Sequence, residues 1–206
     1  MSFTVTQPKE YPKSILASAE NYVALDIETT GLNPAQEQIL ELAAARMENG
    51  ILIDRFSQLV NPGVKIPPFI TSLTGIRDDM VVNAPKIREA LPGFLDFLGD
   101  SLLLGHNTAF DLRFIRYNSM VVMKHRVMNP YMDTLRISRL LFPDLPNHKL
   151  TTLIHAFHVG ETVEHRALSD AIQTAWCYEY MKKYAKDKGI PLEEKPKSKK
   201  RKKNVD

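Results

Sequence analysis

The stretch YVALDIETTG, residues 22–31, is an apolar run interrupted by two acids. Side chains alternate along a strand, so Val23, Leu25 and Ile27 share one face while Tyr22, Ala24, Asp26 and Glu28 share the other. Two carboxylates therefore point the same way at the end of a segment that otherwise reads as core. Buried charge is costly unless it is paired, so this face calls for a cation.

Outward from this strand, the spacing predicts two more at residues 38–47 and 51–60. They are joined by Glu48, Asn49 and Gly50, and Asn-Gly is a strong hairpin signal. Helical patterns follow at 67–73 and 84–98, the second with Ile87, Leu91, Phe94, Leu95 and Leu98 at helical intervals. SLLLG, residues 101–105, reads as a strand covered on both faces. Further on, the pattern predicts a helix over 108–117, a short strand near Tyr131, and helices over 134–141, 149–157 and 167–184. The last presents Leu168, Ala171, Ile172, Ala175 and Trp176 as an apolar stripe. Antiparallel strands followed by βα units predict an α/β fold with a mixed sheet flanked by helices.

With 206 residues, 44% hydrophobic and 25% charged, the chain has an ordinary globular composition and enough length for one domain with a sizeable core. The opening MSFTVTQPKEYPKSILASAE lacks a signal-peptide pattern, and no apolar run reaches the ~18 residues of a membrane helix. A cytoplasmic location away from membranes is expected. Cys177 is the single cysteine, which excludes an internal disulfide and a cysteine-based zinc site; in its WCY context it reads as packing. The net charge of +3 is unevenly spread, with nine Lys and Arg against four acids from Lys186 onward. These features divide the chain into an N-terminal extension (1–19), a folded domain (20–185) and a basic tail (186–206) expected to be disordered. The tail reads either as a solubility segment or as an arm attracted to nucleic acid.

Two more acids lie beside apolar stripes. Asp111 precedes Phe114 and Ile115 by three and four residues, and Asp170 falls between Leu168 and Ala171 near the start of the last helix. Each has a bland explanation in the helix dipole, which favours acids at helix starts. Taken together, Asp26, Glu28, Asp111 and Asp170 all stand at element ends against the core. Four such carboxylates would repel one another unless cations joined them, and oxygen-rich clusters suit Mg²⁺ or Mn²⁺. Two such ions ~4 Å apart can serve an in-line phosphoryl displacement. His165, just before the last helix, is suited to be the general base for the attacking water.

In this order, DIETTGL (26–32), SLTGI (72–76), GHNTAFD (105–111) and HRALSDA (165–171) resemble the DEDDh branch of the DnaQ-like 3'-5' exonucleases, most closely the epsilon-type proofreading modules of bacterial DNA polymerase III. MDTLRISRLLFPDLPNHKLTTL (132–153) is similar to the segment linking their last motifs. The resemblance implies a ribonuclease-H-like fold with a five-stranded sheet in order 3-2-1-4-5, whose first strand is central. It implies two Mg²⁺ or Mn²⁺ ions on Asp26, Glu28, Asp111 and Asp170, with His165 as base. It further implies a pocket for the terminal nucleotide at Thr29, Thr30 and Leu32, with Leu73 and Ile76 against the base and His106, Asn107 and Phe110 lining the rest. Asp133 corresponds to a position read as structural.

The implied partners are nucleic acid, chiefly single-stranded DNA 3' ends, and a DNA polymerase; no membrane is involved. The resemblance leaves open whether the nuclease works as a polymerase subunit or alone. Two rival readings stay open beside DNA exonuclease: an exoribonuclease of the same fold, and a non-catalytic nucleic-acid-binding module.

Overall fold

The computed structural model describes residues 10–160 and 165–193. β1 (Asn21–Thr29) runs antiparallel to β2 (Ile39–Glu48), which returns through Asn49 and Gly50 to β3 (Ile51–Leu59). Both turn residues have positive φ, 51° and 77°, the left-handed pair whose twist matches the flanking strands of a two-residue hairpin. α1 (Pro68–Thr74), α2 (Asp78–Val81) and α3 (Ile87–Leu98) precede β4 (Leu103–Gly105), which joins β1 in parallel. α4 (Ala109–Met123) leads to β5 (Tyr131–Asp133), parallel to β4; α5 (Thr134–Leu141), α6 (Leu150–Phe157) and α7 (Ala167–Asp187) follow. The sheet order β3-β2-β1-β4-β5 puts the acid-bearing strand at the centre, as expected.

Alternation along β1 divides the core into two layers. Val23, Leu25 and Ile27 pack against Leu91, Phe94 and Leu98 of α3 and Leu112, Phe114 and Ile115 of α4. Tyr22 and Ala24 face the opposite layer, which includes Ile137, Ile154, Tyr178 and Met181 from α5, α6 and α7. Asp26 and Glu28 continue this second face to the end of the strand, where the layer stops and a cavity opens.

Local structure departs from expectation in four places. α2 carries no periodic signal because it is a single turn, tied down by Asp78, whose Oδ1 accepts from the Ile66 N–H at 2.9 Å. α4 continues past 117 and stops only at Lys124, where φ is 54°. On α7 the buried face runs through Ala167, Ala171, Ala175, Tyr178 and Met181, while Trp176 is 43% exposed. Cys177 and Tyr178 occupy the space assigned to Trp176: Tyr178 packs edge-on to Tyr22 at 5.1 Å and donates to the Ala17 carbonyl at 2.9 Å. Finally, the segment before β1 is part of the fold. Ser14 bridges to Tyr131, and Ile15, Leu16, Ala17 and Ala19 pack on the α7 layer. Residues 194–206, most of the expected basic tail, lie outside the described residues.

Gly105 ends β4 where α4 must turn back sharply. A Cβ there would lie 2.9 Å from Oγ1 and 3.0 Å from Cγ2 of Thr108, whose hydroxyl donates to the Met132 carbonyl at 2.8 Å. Overpacking of this kind costs about 1–3 kcal/mol. Gly105→Ala is therefore expected to lower the melting temperature by roughly 3–10 °C, read by thermal denaturation followed by circular dichroism.

Candidate active site

Asp26 and Glu28 leave the end of β1 on one face, and Asp170 reaches them from the first turn of α7. One carboxylate oxygen from each of the three lies within 4.8 Å of the others. Asp111 comes from the first turn of α4, across the end of the sheet, and its carboxylate accepts from the backbone N–H of Ile27, between the two β1 acids. It stands outside the 4.8 Å group but close enough for its charge to weigh heavily on Asp26.

The electrostatics follow from this crowding. Burial, then the charges of Asp111, Glu28 and Asp170, holds Asp26 well above the usual carboxylate range. Burial and the charges of Asp170, Glu41 and Asp111 push Glu28 up to about 8, opposed by Arg166. Burial pushes Asp111 up to about 8 despite its backbone hydrogen bonds. A crowded set of half-buried and buried oxygen donors that repel one another fits hard divalent cations such as Mg²⁺ or Mn²⁺, whose charge removes the repulsion.

His165 lines a cavity of about 250 Å³ with Asp26, Asp170, His106, Lys149, Leu150 and Thr151. His106 packs inside with Nδ1 2.9 Å from the Thr134 hydroxyl, and burial pushes it down to about 4, so its ring is neutral. Asn107 has φ of 63°, and its N–H donates to Asp133 Oδ1 at 3.0 Å. The same oxygen caps α5 by accepting from the Leu135 N–H at 2.9 Å, so Asp133 has a structural task. Phe110 leans on Phe114, ring centroids 5.3 Å apart, and is partly buried.

The expected nucleotide pocket divides. Leu32 (78% exposed) and Leu73 (43%) stand free at the surface, available to a ligand. Thr29 and Thr30 are buried, and Thr30 builds the loop: its N–H donates to the Gln38 carbonyl at 2.8 Å and its hydroxyl to Glu37 Oε2 at 2.5 Å. Ile76 lies deeper. It is 0% exposed and packs with Leu40, Ile66 and Val81, because Gly75 turns the chain with φ of 70° and sends the next side chain inward.

Two sets of residues escaped the sequence reading. Lys149, Leu150 and Thr151 bring the start of α6 to the cavity, a proximity only the tertiary fold creates. Glu41, buried in β2 directly opposite Glu28, holds Arg166 through both carboxylate oxygens. Its signal was available, since an acid inside ILELAAARM is as anomalous as Asp26 inside YVALDI. A cavity of about 670 Å³ near Ser18, Glu20, Glu179 and Lys182 has no comparable acid cluster; its two glutamates pair with Lys182.

Residues 23–178 match the RNase_T exonuclease family model. The chain is 38% identical over 177 residues to the PolC-type DNA polymerase III of Bacillus subtilis (strain 168), covering 85% of this chain but 12% of that protein. It is 39% identical over 154 residues to the DNA polymerase III subunit epsilon of Aquifex aeolicus (strain VF5), covering 75% of this chain and 76% of that protein. Among solved structures, E. coli exonuclease I in complex with a dT13 oligonucleotide shares the fold with a TM-score of 0.70, at 19% identity over 83% of this chain and 43% of that one. Exonuclease X in complex with 5' overhanging duplex DNA gives a TM-score of 0.62 at 23% identity over 82% of this chain and 94% of that one. No helix among the described residues is long and apolar enough to cross a membrane. On the family match and its relatives, this chain belongs to the DnaQ-like exonucleases of the epsilon type.

Proposed function

We propose that this chain is a divalent-metal-dependent 3'-5' exonuclease that removes nucleoside 5'-monophosphates from single-stranded DNA 3' ends, working in the cytoplasm with a DNA polymerase in proofreading or repair. The observation that carries the reading is the meeting of Asp26, Glu28 and Asp170 within 4.8 Å, two of them lining a cavity that His165 also lines. Polymerase association rests on the names of the relatives, the PolC-type enzyme and the epsilon subunit.

Asp26, Glu28, Asp111 and Asp170 would hold two Mg²⁺ or Mn²⁺ ions, which supply Lewis-acid stabilisation of charge on the scissile phosphate. The protein's own groups do the rest. His165 takes a proton from the attacking water as its oxygen bonds to phosphorus and the bond to the 3' oxygen of the preceding nucleotide breaks. Lys149, at the rim of the same cavity, meets phosphate charge. Leu32, Leu73 and Phe110 offer apolar and aromatic surface to the terminal base; such contacts hold any base and favour none.

The test is a time course on 5'-labelled single-stranded DNA with Mg²⁺, with Mn²⁺ and with chelator. The expected result is a ladder that shortens one nucleotide at a time from the 3' end, only when metal is present. Internal cuts, or cleavage in chelator, refute the assignment. A matched RNA strand run alongside decides the substrate: faster shortening of RNA makes the chain an exoribonuclease. Binding of both strands without cleavage makes it a non-catalytic module.

A further inference from the structure

We infer that Arg166, locked by Glu41, is the positioning residue for His165; this rests on the exonuclease reading above. Glu41 is 1% exposed in the middle of the sheet. Its carboxylate receives three donors from one short segment: Arg166 Nε at 3.1 Å, Arg166 Nη2 at 3.0 Å and the Ala167 N–H at 3.1 Å. The two-pronged guanidinium contact fixes the side chain in orientation as well as position. The backbone contact fixes the first residue of α7, so side chain and main chain on the helix side of His165 are both tied to β2.

His165 itself has φ of 48°. A left-handed conformation costs a non-glycine residue roughly 1–2 kcal/mol and persists only where the surroundings impose it. The restraint is adjacent: with residues 166 and 167 clamped to β2, His165 leaves the helix start in the one direction that points its ring into the cavity with Asp26 and Asp170. Stability alone does not require an ion pair here, since well-packed apolar residues commonly serve a buried site equally well or better. What the fork provides beyond packing is direction.

The test uses Glu41→Gln with Arg166→Gln, a pair that leaves no buried charge unmatched, alone and together with His165→Ala. Four quantities are read: kcat and KM on a labelled oligonucleotide at saturating Mn²⁺, Mn²⁺ affinity by electron paramagnetic resonance, and melting temperature. For the double variant, kcat is expected to fall roughly 100-fold, the scale of an ångström-level misplacement. KM and Mn²⁺ affinity should stay within about threefold, and in the His165→Ala background the same two changes should cost less than about threefold, because residues acting as a unit are non-additive. A parent-like kcat, equal losses in both backgrounds, or Mn²⁺ affinity falling in step with kcat each overturn the positioning role.

Arg166→Lys gives a second route should the double variant not fold. It keeps the charge but loses the fork, and an intermediate kcat is expected; full activity overturns the inference. The two readings fail separately. A parent protein that releases no mononucleotide refutes the exonuclease assignment, whereas an active parent with additive losses refutes only the clamp.

Discussion

Asp26→Asn is expected to abolish 3'-end hydrolysis and, at the same time, to make the metal-free protein melt higher. The loss follows from the place of Asp26 at the centre of the acid group, where Asp111, Glu28 and Asp170 all act on it. Removing a carboxylate proposed to hold the metal would forfeit several kcal/mol of charge stabilisation, and each ~1.4 kcal/mol is a factor of ten, so the rate should fall by roughly 10³-fold or more. The gain follows from the same geometry. Without metal, Asp26 is a half-buried acid among acids, and a neutral amide removes both the desolvation cost and the repulsion. Relief of ~1 kcal/mol or more raises the melting temperature of a domain this size by about 3 °C or more. Single-turnover cleavage and thermal melts in chelator check the two halves. Asp79→Asn is the control, since Asp79 is exposed, is paired with Arg77 at 3.0 Å and is not among the charges acting on Asp26. A variant that melts below the parent in chelator contradicts the electrostatic account.

The second large effect is a metal-dependent stability that grows with pH. Glu28 and Asp111 each titrate near 8 in the folded, metal-free protein, against about 4 in an unfolded chain. Below about 4 they are protonated in both states, and their contribution to stability is fully present. Between about 4 and about 8 the folded state keeps protons that the unfolded chain has released, so stability declines as pH rises through that window. Divalent ions held as proposed should reverse the trend, because binding needs the deprotonated carboxylates and expels their protons. At pH 5, millimolar Mn²⁺ should shift the melting temperature little. By pH 8 the shift should reach about 5–10 °C, the size expected for a ligand at about 100 times its dissociation constant. A pH series of melts with and without Mn²⁺, with proton release followed by calorimetry in two buffers, checks this. A shift that is constant across pH, or binding without proton release, contradicts it.

Much of this architecture was readable from local pattern. Alternation alone placed Asp26 and Glu28 on one face of a strand, and Asn49-Gly50 announced its hairpin. The acids on α4 and α7 stood out because each interrupts an apolar stripe. What escaped depended on register and on turns. Glu41 becomes meaningful only when pairing sets it opposite Glu28, and Arg166 looks like filler until Glu41 is known to face it. Ile76 and Leu73 both read as apolar residues of one motif, yet the left-handed Gly75 between them sends one into the core and leaves the other outside. Apolar character points Trp176 inward, but α7 lies on β1 and β2 along a line that favours alanines and Tyr178, whose small and flat shapes allow close approach.

The division of the core into two layers bears on when this enzyme can be dangerous. Asp111 is delivered by a helix of one layer and Asp170 by a helix of the other, with the strand carrying Asp26 and Glu28 between them. A chain in which only one layer has formed therefore holds an incomplete set of acids. A molecule that has lost one layer would thus lose part of its acid group before it is fully unfolded.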